Sequence, residues 1–246
     1  MKRLIVMIMA LVLLTGCGSQ MPPLEKNPYG PEDFSREDGV MTCLAGPARM
    51  GVDVSSYQEQ IDWETAAAAG VEFAIIRIGY RGYSVGQIKP DDLAWEHLAG
   101  AKSAGLDVGV YFYAQAISPE EAAEEARWCL DFLSGESLDL PVVYDWEWVS
   151  NSARTGAMTK EALTECAKIF CETIEKNGYQ AMIYFNTHVA RDLLDLEELA
   201  EYPFWLAQYK NQMDFPHRVD LWQYTETGSV PGIQGDVDID LMFIYE

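Results

Sequence analysis

From Gly51 to the C-terminus, short apolar runs alternate with segments of helical period, and this alternation leaves few folds open. Gly51–Val54, Val71–Ile78, Asp107–Tyr113, Val142–Trp148, Ala181–Phe185, Phe204–Gln208, Leu221–Tyr224 and Val237–Phe243 read as strands. One helical pattern opens at Asp62 and runs to Ala69, and a second spans Asp91–Ser103. A third starts at Ser118-Pro119-Glu120-Glu121, in the order of a capping box, with Ala122, Ala126, Cys129 and Leu133 on one face. A fourth carries Leu163, Ala167, Phe170 and Ile174 on one face and stops at Asn177-Gly178. Repeated strand–helix units predict a parallel sheet covered by helices. Eight such strands with polar ends predict an α/β fold, a single-domain, irregular β/α barrel of TIM-like layout. The stretch from Tyr224 to Val237 is full of turn residues and has no helical period. It cannot supply a covering crossover helix, so the last strand is expected to run antiparallel and to start on the rim where the others end.

Residues 1–16 have the order of an export signal: Met1-Lys2-Arg3, then an apolar run from Leu4 to Leu14 that is short for a membrane span. The run ends in Leu14-Thr15-Gly16-Cys17, which resembles a lipoprotein box with Cys17 as the lipidated residue. The expected product is exported and held by acyl chains to the outer face of a bacterial cell membrane, its only contact with the membrane. Residues 17–49 are rich in Pro, Gly and charge and read as a tether, leaving 50–246 as the barrel domain. Cys129, Cys166 and Cys171 fall in helical patterns and are expected as buried free thiols, while the pairing of Cys43 is open.

Acidity narrows the partners. The chain carries 17 Lys+Arg against 39 Asp+Glu, a net charge of -22, the wrong sign for nucleic acid or an anionic membrane surface. His97, His188 and His217 are scattered, with none at metal-ligand spacing, so neither metal nor cofactor is expected. Gly79-Tyr80-Arg81-Gly82 lacks the third glycine and the following helix of a dinucleotide loop.

The most informative stretch is Val142-Val143-Tyr144-Asp145-Trp146-Glu147-Trp148. Alternate strand residues share a face, so Asp145 and Glu147 point together into the barrel, while Tyr144, Trp146 and Trp148 point toward the helices. Two acids at the end of a buried strand are costly unless they serve chemistry, and that end of a parallel barrel is where active sites form. Asp53 ends the first strand and Asp238 opens the last; neighbours in a closed barrel, they would bring two more carboxyls to the same mouth. Crowded acids push one another's pKa values up and apart, the condition for a proton donor beside ionised neighbours. This points to acid–base hydrolysis of a glycosidic bond. Aromatic residues near the strand ends (Tyr57, Tyr80, Tyr111, Tyr113, Tyr184, Trp205, Tyr209, Trp222 and Tyr224) suit stacking on sugar rings.

At the level of motifs, the chain from Gly51 onward resembles glycoside hydrolase family 25, the lysozymes that cleave bacterial peptidoglycan. The resemblance rests on Gly51-Val52-Asp53-Val54-Ser55, Ile61-Asp62-Trp63, Ala74-Ile75-Ile76-Arg77, Gly109-Val110-Tyr111, Asp145-Trp146-Glu147, Trp205-Leu206-Ala207-Gln208-Tyr209, Trp222-Gln223-Tyr224 and Val237-Asp238-Ile239-Asp240. It implies a barrel with a reversed last strand, Asp53, Asp145, Glu147 and Asp238 as the acidic set, and Glu147 as proton donor. It also implies cleavage of the β-1,4 bond between N-acetylmuramic acid and N-acetylglucosamine, with peptidoglycan glycan strands as the partner; apart from the resemblance, a monomer is expected. Tyr80, Tyr111, Tyr184, Trp205, Gln208 and Trp222 are the expected sugar contacts. Two positions depart from the pattern: Phe112 follows Tyr111 where many members have histidine, and Asp240 stands where asparagine is usual. Asp145 would either stabilise charge or orient the substrate's own N-acetyl group. The other readings of the residues are a chitinase-like endo-N-acetylglucosaminidase, a non-catalytic wall-binding lipoprotein, and a solute-binding lipoprotein for which the chain is short.

Overall fold

The strand–helix alternation closes on itself. The computed structural model describes residues 22–245. The proposed signal peptide and Cys17 lie outside the described residues. Elements follow in chain order as β1 (Phe34–Glu37), β2 (Val40–Cys43), β3 (Ala48–Val54), α1 (Trp63–Ala68), β4 (Phe73–Arg81), β5 (Ile88–Pro90), α2 (Ala94–Ser103), β6 (Asp107–Ala114), α3 (Pro119–Leu133), β7 (Val142–Trp146), α4 (Lys160–Lys176), β8 (Ala181–Asn186), α5 (Thr187–Asp192), β9 (Phe204–Ala207), β10 (Leu221–Gly228) and β11 (Val237–Phe243).

Around the barrel the order is β3-β4-β6-β7-β8-β9-β10-β11, with β3 paired to both β4 and β11. β3 through β10 pair in parallel, and β11 is antiparallel to both β10 and β3, as its helix-free approach predicts. The link from β9 to β10 also lacks a helix, yet those two strands are parallel. β5 turns back on β4 and extends the sheet at the mouth.

Period-two alternation sorts the side chains. Phe73, Ile75, Val143, Met182, Trp205 and Leu221 pack inside the barrel, and residues of opposite parity such as Tyr144, Trp146, Phe185 and Trp222 pack outside. Gly51 is required by this filling, since a Cβ there would sit 2.2 Å from the Phe73 ring. The helices start where the caps predict: Thr65 N donates to Asp62, and Ala162 N donates to Thr159. The start of α3 differs. Glu121 N donates to Ser118 Oγ, but the Glu121 carboxylate reaches back to Ile117 N and to Arg154 instead of closing a box. β7 ends at Trp146, two residues short of expectation; Trp148 is half-exposed, edge-on to His188, rather than turned toward the helices. Cys43, Cys129, Cys166 and Cys171 are all buried free thiols.

The tether reading is overturned from Leu24 onward. β1 and β2 form a hairpin around Asp38-Gly39, both at positive φ, as a two-residue turn demands. Phe34, Met41 and Cys43 are buried, and Phe34 meets Trp222 and Phe243 at 5.0 and 6.1 Å between ring centroids. Tyr29 packs at a tilt against Phe243, 4.9 Å between ring centroids, and Met41 N donates to the Tyr224 hydroxyl. The physical reason is coverage: with no helix after β9 or β10, the outer face of β10 and β11 would lie bare, and the hairpin takes the place of the missing helices.

Candidate active site

The parallel strands deliver their C-terminal ends, and β11 its first residues, to one mouth, where a cleft of about 860 Å³ opens. Asp53, Asp145, Glu147 and Asp238 all line it. Asp53 and Asp238 are direct cross-strand partners in the β3–β11 ladder. Asp145 lies near the end of β7, between Tyr113 of β6 and Tyr184 of β8. Glu147 follows β7 on the same face, half-buried, and accepts no side-chain hydrogen bond from the described residues. Asp145 is 4% exposed, and its Oδ1 is buried with no protein partner.

Every one of these carboxyls titrates above its ordinary range. Burial pushes Asp53 well up, with the nearby charges of Asp238 and Asp240 adding to it, while a hydrogen bond from Gln223 Nε2 (2.7 Å) opposes. Burial and the Glu147 charge push Asp145 well up, against the pull of Arg77. Glu147 is raised by burial, then by Asp238 and Glu226. Asp238 is raised by burial and Glu226 to about 6. Beneath them Asp240 is fully buried and held high by the same desolvation, with Trp205 Nε1 donating to its Oδ1 at 2.8 Å. Asp53, Asp238 and Asp240 thus lie close enough for their charges to raise one another's proton affinity.

The sugar-contact residues divide. Tyr80, Tyr111, Tyr184 and Trp205 line the cleft, with Trp205 as its buried floor against Tyr184 (4.9 Å) and Tyr111 (6.3 Å). Trp222 does not: it is fully buried on the outer face of β10, under Phe34, and its indole donates to the Gln208 carbonyl. Tyr224 shares that outer face. Strand parity is the reason, since Gln223, between the two aromatics, is the residue that turns inward. Gln208 is also outside the cleft, its amide spent on Thr187 Oγ1 and Asp214 N. Gln223 takes the place expected for Gln208: besides donating to Asp53, it accepts hydrogen bonds from the Tyr184 and Tyr209 hydroxyls.

Arg77 brings a cation to the cleft. It is ion-paired with Asp91 (2.7 Å), with the rings of Tyr57 and Tyr80 5.0 and 5.6 Å from its guanidinium. Its inward parity on β4 was readable, but its role needs the fold. Glu226 likewise reaches the mouth from a bulged part of β10 that no simple period indicates. Among the described residues no group of three or more His, Cys, Asp or Glu side chains is arranged to hold a metal ion.

A closed β/α barrel with inward carboxyls of raised pKa at one mouth, beside a ring of tyrosines, defines a site of the carboxylate glycosidase class. Residues 52–233 match the glycosyl hydrolases family 25 model, and the chain belongs to that family. It is 28% identical over 193 residues to the autolytic lysozyme of Clostridium acetobutylicum, covering 77% of this chain and 54% of that protein. It is also 28% identical over 199 residues to lysozyme M1 of Streptomyces globisporus, covering 76% of this chain and 65% of that one. The chain thus spans about half the length of the Clostridium relative. In fold it is similar to the modular autolysin LytC of Streptococcus pneumoniae (TM-score 0.73, 23% identity, 85% of this chain and 52% of that one). A family 25 glycosyl hydrolase of Bacillus anthracis gives a TM-score of 0.66 at 22% identity, over 80% of this chain and 90% of that one.

Proposed function

We propose that this chain is a peptidoglycan hydrolase, a muramidase that breaks the β-1,4 bond between N-acetylmuramic acid and N-acetylglucosamine. The observation that carries the reading is Glu147: a half-buried carboxyl, its pKa raised by burial, without a protein side-chain partner, beside buried Asp145 and across the cleft from the Asp53–Asp238 pair. Glu147 gives its proton to the leaving glycosidic oxygen as the C–O bond breaks. Asp145 holds the substrate's acetamido N–H, which directs the acetamido oxygen onto the anomeric carbon. Water then attacks that carbon, and its proton returns to Glu147. Asp53 and Asp238 keep the proton affinity of the cleft high and bind sugar hydroxyls, and the tyrosine rim holds the rings. The matches to an autolytic lysozyme, to lysozyme M1 and to an autolysin solved with a synthetic peptidoglycan ligand support this substrate class. Lipidation at Cys17 would hold the domain at the outer membrane face.

The test is mass analysis of products from defined glycan strands. New reducing ends on N-acetylmuramic acid are expected. Reducing ends on N-acetylglucosamine would transfer the assignment to a chitinase-like specificity, and binding without products to a wall-binding role.

A further inference from the structure

Glu147 is one residue beyond the last rung of the sheet. The β6–β7 ladder ends at Ala114 paired with Trp146, and from Glu147 to Thr159 the chain has turns and no regular element. With its carboxyl unpartnered, the donor must be located through its backbone. The group that does this is Gln115, the residue after β6, fully buried and absent from the cleft wall. Its Nε2 donates to the Glu147 carbonyl at 2.9 Å, and its Oε1 accepts from Thr155 Oγ1 at 2.9 Å. One side chain thus extends the ladder by a rung and ties down the far end of the same loop.

Gln115 is itself gripped at both backbone atoms. Its N–H donates to Glu125 Oε1 (3.1 Å), which also takes the Arg81 Nε (2.7 Å). Its carbonyl accepts from Arg154 Nη1 (2.7 Å), and Arg154 makes a two-pronged pair with Glu121. Glu125 is fully buried, so its contacts with Arg81 Nε and Gln115 N are shielded from competing water. Gly156 lets the loop fold back on itself, since a Cβ there would meet the Asn151 carbonyl at 2.5 Å.

We infer that Gln115 is a positioning residue for the reaction, fixing where Glu147 presents its proton; this rests on the reading of Glu147 as the donor. The experiment uses the full-length protein and four variants: Gln115→Met, which keeps the volume and removes the donor, Gln115→Glu, Glu147→Gln and the double variant Gln115→Met/Glu147→Gln. Gln115→Met is expected to lower kcat about 10²-fold, the cost of misplacing a reacting group by about 1 Å, with KM unchanged. Its alkaline limb should move to lower pH, because a Glu147 that swings toward water loses the desolvation that retains its proton. In the Glu147→Gln background the same change should cost nothing further. Gln115→Glu should be active at acidic pH, where the buried acid is protonated and can still donate, and should lose activity as it ionises.

A folded Gln115→Met with wild-type kcat and alkaline limb overturns the inference, as does an equal loss in both backgrounds. If Gln115→Met fails to fold, a Gln115→Glu profile parallel to wild type overturns it. If Glu147→Gln is as active as wild type, the donor assignment has failed instead. The NMR titration of the Glu147 carboxyl in Gln115→Met then decides, with an unmoved titration against the inference and a downward shift for it.

Discussion

Asp53 and Asp238 are cross-strand partners, and the pairing exists only because β11 runs backwards. A parallel β11 would carry Asp238 to the closed end of the barrel. Reversal instead sets a carboxyl that titrates near 6 beside one that titrates well above its usual range, and within electrostatic reach of Glu147.

Asp238→Asn should therefore move the pH–rate profile in a definite direction. Glu147 works while protonated, and after burial the Asp238 charge is the main cause of its raised pKa. Removing that charge lowers the pKa of Glu147, so the alkaline limb moves to lower pH. Glu226→Gln should shift the limb the same way by less. The limb reports the coupled set, so the measurement is the whole profile of kcat/KM. An alkaline limb that rises or stays fixed would refute the coupling.

Glu147→Gln should lower kcat on peptidoglycan by ~10²–10⁴-fold, the usual worth of a general acid, with little change in affinity for glycan strands. Steady-state rates paired with a binding titration check this. A variant that turns over like wild type would remove Glu147 from the donor role.

Stability should rise as pH falls from 8 toward 5. Asp53, Asp145 and Asp240 titrate well above an ordinary aspartate, Asp238 near 6 and the buried Glu125 near 7. A folded-state pKa above the unfolded value makes a contribution that is complete below the unfolded pKa and is lost as pH rises through the folded one. Asp240→Asn should flatten this slope and raise the melting temperature at pH 8, because the amide can still accept from Trp205 while no buried charge forms. Each 1 kcal/mol is worth about 2–4 °C in a domain of this size. Calorimetry across the pH range decides; a melting temperature higher at pH 8 than at pH 5 would contradict it.

Phe34→Ala should destabilise the barrel by about 3 kcal/mol, the lower end for a buried phenylalanine, since its ring packs between Trp222 and Phe243. Denaturant melts measure it. An unchanged midpoint would return residues 24–49 to the status of a passive tether.

Cys17→Ser should release the protein from membranes or leave it as an unprocessed precursor, with the hydrolytic activity of the folded domain retained. Fractionation and mass analysis check this. A correctly cleaved Cys17→Ser protein that stays with membranes would sink the lipidation.

The barrel was legible because buried parallel strands are unbroken apolar runs, and the acids because Asp145 and Glu147 share a parity that any strand imposes. What was missed has physical causes. Around Phe34 and Met41, short alternating strands are diluted by charge, although Asp38-Gly39 is itself a strong hairpin signal. Trp205 and Trp222 are the same residue type near the same rim, and only parity separates the floor of the cleft from the outer wall. Gln115 lies outside every motif, since its value comes from a loop that the fold returns to it from 40 residues downstream.

The docked hairpin also fixes a leash length. Were residues 17–49 free, a lipidated Cys17 would let the barrel range about 110 Å from the bilayer at full extension. With the chain packed against the core from Leu24 and paired from Lys26 onward, only the steps from Cys17 to Leu24 remain, at most about 25 Å. On the proposed anchoring, the barrel would be held close to the bilayer, and lengthening this short stretch with Gly-Ser repeats would be the simplest way to let it cut farther out.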